Sequence, residues 1–90
     1  MASITVTVGS SIGLHARPAS IISDAAGEMD AEVTLALPDG EPVEADSALL
    51  IMTLGASYGD QVVVSSDDEE AARAIAKLVA LDLDDPSYEP

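Results

Sequence analysis

The chain contains a single histidine, in the segment Gly13-Leu14-His15-Ala16-Arg17-Pro18-Ala19-Ser20. A lone histidine is most often a structural or surface residue, but its setting here points to chemistry. From Ala16 to about Ala26 the apolar spacing becomes helical, with Ala19, Ile22 and Ala26 on one face. Pro18 falls in the first turn, where a missing N–H costs nothing. His15 therefore stands at the mouth of a helix whose first amides lack intrahelical partners. Those donors and the helix dipole form an anion site suited to phosphate over Ala16, Arg17 and Pro18. Arg17 adds a planar, permanently charged fork that matches phosphate oxygens. The only other basic residues are Arg73 and Lys77.

The chemistry this permits is attack by a neutral imidazole nitrogen on phosphorus. A free imidazole titrates at about 6.5, so a large share is unprotonated at neutral pH. Phosphoryl transfer asks mainly for positioning and charge stabilisation, which a histidine, an arginine and a helix start can supply. Nothing else in the chain supplies catalysis. There is no serine–histidine–carboxylate set, no P-loop and no dinucleotide fingerprint. Activation of the donor must come from another protein, which makes the chain a covalent carrier rather than a self-sufficient enzyme. One histidine and no cysteine make a metal enzyme the weakest reading, although carboxylates could bind Mg²⁺ or Ca²⁺ loosely, and no cofactor is expected.

The elements that must hold His15 follow from alternation and punctuation. Ser3 to Val8 alternates as a half-buried strand with Ile4, Val6 and Val8 inward. Gly9 to Gly13 is a loop, and Gly27 is expected to stop the first helix. Glu32 to Leu37 is a second strand with Val33, Leu35 and Leu37 inward. Pro38-Asp39-Gly40 is a turn in which glycine is expected to take the positive φ. A short strand around Pro42 to Glu44 follows, then a brief helix from Ser47 to about Leu54, closed by Gly55. Tyr58-Gly59-Asp60 is a further turn, and Gln61 to Ser65 is a strand rich in β-branched residues. Ser66-Asp67-Asp68-Glu69 has the form of a capping box. It opens a helix whose buried stripe is Ala72, Ile75, Ala76, Val79 and Leu83. The order βαββαβα implies an α+β fold: one mostly antiparallel sheet with helices on a single face. Residues 1–84 form one domain, and 85–90 are expected to be an acidic tail.

Composition narrows the function further. Ninety residues allow one small domain, and its core must be aliphatic because the chain has two Tyr, no Phe and no Trp. Seventeen acidic residues against three basic ones give a net charge of −14. Such a surface repels nucleic acids and anionic lipid heads. No apolar run is long enough to insert in a membrane, and the start of the chain lacks signal-peptide features. With no cysteine, a cytoplasmic protein is expected. At this charge density, self-repulsion in dilute salt suggests a halophilic protein working in a molar-salt cytoplasm; an ordinary acidic protein is the alternative.

The segment from Gly13 to Ser20 resembles the active-site signature of the histidine-containing phosphocarrier (HPr) family of the phosphoenolpyruvate-dependent sugar phosphotransferase system. The likeness extends over nearly the whole chain in length and element order. It implies an open-faced β-sandwich, four antiparallel strands with three helices on one side. It also implies that His15 is phosphorylated on Nδ1 by enzyme I and passes the group to an enzyme IIA domain, with Arg17 stabilising the phosphate and Pro18 starting the helix. A monomer is expected.

The stretch Asp46-Ser47-Ala48-Leu49-Leu50-Ile51-Met52-Thr53-Leu54-Gly55 is similar to the family's second-helix region. There Ser47 aligns with a serine that a dedicated kinase phosphorylates in some members; the alternative is that Ser47 or Asp46 is simply a helix N-cap. The helix is apolar at almost every position, so Ala48, Leu49 and Met52, with Ser20, are candidate docking residues beside His15. Core packing of a short helix is the competing explanation. The chain departs from the family's usual lysine-rich surroundings, carrying Asp24, Gly27 and Asp46 instead. Other readings are a regulatory interaction protein of the same fold switched at Ser47, a phosphodonor to a phosphotransferase-linked dihydroxyacetone kinase, or a metabolite-binding domain in which His15 is incidental.

Overall fold

Alternating β-branched and small polar residues build the sheet, and the helices cover only the side on which the branched residues fall. The computed structural model describes residues 2–83. Its elements run β1 (Ala2–Thr7), α1 (Ala16–Gly27), β2 (Val33–Ala36), β3 (Val43–Glu44), α2 (Ala48–Thr53), β4 (Gln61–Ser66) and α3 (Glu69–Ala80). The strand order is β1-β4-β2-β3, with every neighbouring pair antiparallel. β4 thus lies between β1 and β2 and aligns Val64 with Ile4 on one side and Leu35 on the other. The fold is the α+β open-faced sandwich expected from the element order. The expected division at residue 84 and the tail over 85–90 lie outside the described residues.

Helix α3 packs on β1, β4 and β2, α1 packs on α3, and α2 packs on α1 and β3. Between helices and sheet lie Ile22, Leu35, Ile51, Val62, Val64, Ile75 and Val79, all essentially inaccessible to water. Each such side chain contributes about 1.5–3 kcal/mol by leaving water. The aromatic ring of Tyr58 stays outside this core. On the uncovered face Ser3, Thr5 and Thr7 of β1 are exposed, and the Ser3 and Ser65 hydroxyls share a hydrogen bond of 2.9 Å.

Local starts and stops differ from the sequence reading in four places. Ser66 is not the N-cap of α3: it is the last residue of β4, and its hydroxyl accepts from the Asp68 amide. Asp68 is the N-cap, accepting from Glu70 N–H at 2.9 Å, and Glu69 turns outward to pair with Arg73. Continued pairing of Ser66 with Ala2 and Val33 keeps it extended, which moves the helix start two residues on. Gly27 does not stop α1 but is its last residue, and Glu28 forms the cap in a right-handed conformation. In the turn after β2, positive φ falls on Asp39 (64°) rather than Gly40; aspartate tolerates this region because its short polar side chain can bond locally. Leu83, expected in the stripe of α3, lies three residues beyond the helix: the chain turns extended at Leu81, and Leu83 is buried from the segment that follows. The remaining boundaries fall within two residues of expectation.

Candidate functional site

The loop from Gly9 to Leu14 is fixed at several points before α1 begins. At its entry Val8 N–H donates to Asp60 O at 2.8 Å, and Gly59 N–H donates back to Val8 O at 3.1 Å. Gly9 N–H donates to Val79 O, and a side chain at Gly9 would run into the Ala80 carbonyl at 2.0 Å. Ser11 N–H reaches Asp82 Oδ1 at 3.4 Å. Gly13 has φ +77° and closes a turn onto Ser10 O. A Cβ there would lie 2.5 Å from Ala56 O, so glycine is needed both for conformation and for space. Leu14 is then buried, its amide donating to Ala56 O at 3.0 Å.

This clamp delivers His15 to the surface. His15 is the N-cap of α1 in an extended conformation (φ −89°, ψ −165°), is exposed, and makes no side-chain capping bond. The first helical hydrogen bond runs from Ala19 N–H to His15 O at 2.8 Å. The amides of Ala16 and Arg17 consequently have no intrahelical acceptor, and Pro18, buried at the third helical position, has no amide to leave unpaired. Ala16 and Arg17 are exposed beside the imidazole. Among the described residues the one ion pair is Arg73–Glu69, which leaves the Arg17 guanidinium uncommitted. An exposed imidazole, two amides without intrahelical acceptors and an exposed guanidinium outside any described ion pair thus belong to three consecutive residues, His15 to Arg17, at the start of a twelve-residue helix.

Helix α2 lies antiparallel to α1. The chain after α2 meets the His15 loop through Ala56, while Asp46, before α2, shares a groove with Ala26 and Gly27 at the far end of α1. Ser47 is the N-cap of α2, its Oγ accepting from Leu50 N–H at 3.3 Å. It is partly buried and sits at the end of α2 remote from His15. Ile51 alone among the helix's residues is fully buried, whereas Leu49 is 70% exposed and Leu50 and Met52 are also exposed. The apolar excess of α2 therefore does not serve the core. Ala48 is half-buried and Ser20 exposed.

Sequence reasoning did not single out two neighbours of the site. Ile12 lies in the loop ahead of His15 and is 48% exposed; an isoleucine in a Gly/Ser loop with no strand to alternate in was the available signal. The carbonyl of Ala56 had none, because backbone partners far apart in sequence leave no residue signature.

The geometry has counterparts among known proteins. A family model described as "PTS HPr component phosphorylation site" matches residues 2–82. The phosphocarrier protein HPr of Streptomyces coelicolor is 48% identical over 81 residues, covering 90% of this chain and 87% of its own. The HPr of Mycoplasma pneumoniae is 37% identical over 82 residues, covering 88% and 93%. The crystal structure of a phosphocarrier protein HPr from Bacillus anthracis superposes with a TM-score of 0.80 at 31% identity, covering 87% of this chain and 95% of that one. An element order, a sheet topology and a sequence match that all span the described domain agree: the chain belongs to the HPr family of phosphocarriers of the phosphotransferase system.

Proposed function

We propose that His15 Nδ1 accepts a phosphoryl group from phosphorylated enzyme I and delivers it to an enzyme IIA domain. The observation that carries this reading is the exposed, uncapped imidazole at the start of α1, beside the free amides of Ala16 and Arg17 and the unpaired Arg17 guanidinium. In the forward step the Nδ1 lone pair forms a bond to phosphorus as the bond between phosphorus and the donor atom breaks, and that electron pair returns to the donor. Delivery is the same displacement in reverse, with the acceptor supplying the new lone pair. The amides and guanidinium bear the charge spread over the three phosphoryl oxygens in both steps. Ser20, Ala48, Leu49 and Met52 border the surface a partner would cover, and the carrier works as a cytoplasmic monomer.

The capping bond of Ser47 to Leu50 supports a structural role for that serine.

The test is incubation with phosphoenolpyruvate and enzyme I from the same source. One acid-labile, base-stable phosphoryl group is expected, absent in His15→Ala. Labelling that survives His15→Ala would overturn the assignment. Subsequent loss of the label to an enzyme IIA domain, against a dihydroxyacetone kinase of the same system, identifies the acceptor.

A further inference from the structure

We propose that the face bearing His15 fits partners that surround an apolar seat with basic groups, concentrated at the end of the face remote from the phosphoryl group. The inference rests on the phosphocarrier reading and specifies the partner's charge. Helix α1 presents Arg17, Ser20 and Asp24 as one exposed row at i, i+3 and i+7. Alongside, α2 exposes Leu49, Leu50 and Met52 and contains no charged residue. Its start is flanked by the exposed Asp46, which lies beside the C-terminal end of α1.

The face is therefore dipolar. Its one cation, Arg17, lies two residues from His15; at 1.5 Å per residue, Asp24 stands about 10 Å beyond Arg17 along α1. Neither Asp24 nor Asp46 is neutralised by an ion pair among the described residues. An acidic partner surface would set carboxylates against both with no lysine between them. Juxtaposed like charges oppose docking, and the adjoining apolar seat strengthens the repulsion by excluding water. A basic rim converts both contacts into attraction and leaves Arg17 to the phosphoryl group.

The experiment measures transfer from phosphorylated enzyme I of the same source to this chain between 0.1 and 2 M KCl, with enzyme I's own phosphorylation followed separately. The second-order rate constant is expected to fall about tenfold as salt screens the attraction. At 0.1 M KCl, Asp24→Lys and Asp46→Lys each lower it about fivefold. Asp67→Lys makes the same change of charge beyond the far end of β4 and stays within about twofold. Circular dichroism checks that all three fold. A rate constant that is flat or rises with salt, or that increases in the Asp24 and Asp46 variants, overturns the proposal while His15 still becomes phosphorylated. Absence of His15 phosphorylation at every salt concentration instead overturns the underlying phosphocarrier reading.

Discussion

The amide of Leu14 donates to the carbonyl of Ala56 at 3.0 Å, so the residue before the histidine is bonded to the chain that leaves α2. Leu14 is buried and His15 is exposed. This one bond joins the loop that carries the proposed nucleophile to the helix that carries the exposed apolar surface. Both halves of the site are thus held in a single frame rather than on separate loops.

Gly13 is the tightest point of that frame. Gly13→Ala forces a side chain into positive φ and into the Ala56 carbonyl. It should cost about 3 kcal/mol or more in urea unfolding and slow transfer through His15. Gly59→Ala meets no neighbour at φ +87° and should cost only about 1–2 kcal/mol. Equal losses for the two would show that Gly13 matters only for its conformation.

Arg17 should act on transfer and not on folding, because it is exposed and unpaired. Arg17→Ala is expected to keep the wild-type urea midpoint while lowering the phosphoryl transfer rate by about tenfold or more. Arg17→Lys should recover part of the loss, since it restores the charge without the planar fork. Rapid-quench kinetics with both variants decide this, and an unchanged rate in Arg17→Ala removes the residue from the mechanism.

The start of α3 separates two residues of similar appearance in the sequence. Asp68→Ala removes the capping acceptor of Glu70 N–H and should destabilise by about 1 kcal/mol. Glu69→Gln loses only an exposed pair with Arg73 and should change stability by less than about 0.5 kcal/mol. Thermal or urea unfolding of both compares the two directly.

In α2 the buried and exposed aliphatic residues should divide cleanly. Ile51→Ala opens a cavity beneath a fully buried position and is expected to cost about 2–5 kcal/mol. Leu49→Ala, at a position 70% exposed, should leave stability nearly unchanged and raise the KM for enzyme I. A large loss of stability at Leu49 would return that residue to the core.

The net charge of −14 makes a salt test of stability decisive for the halophilic reading. Between 0.1 and 2 M KCl the thermal midpoint should rise by about 5 °C or more, equivalent to roughly 1 kcal/mol in a domain of this size. A midpoint indifferent to KCl marks an ordinary acidic protein.

Legible in the residues alone were the element order, the inward faces of the strands, the buried stripe of α3 up to Val79 and the placement of His15 at a helix mouth. These follow from periodicities of two and 3.6 residues and from proline and glycine, which act over a few positions. The sequence also located the apolar excess of α2, although not which of its residues face outward. Tertiary structure alone decided that β4 lies between β1 and β2, because strand order depends on pairing partners distant in sequence. It moved the cap of α3 from Ser66 to Asp68, since pairing on both sides of β4 overrode a local capping pattern. It decided as well that Ile51 turns inward while Leu49 faces solvent, and that Ala56 anchors Leu14. Those outcomes depend on how α1 and α2 meet, and an almost uniformly apolar six-residue helix holds no alternation from which that contact could be inferred.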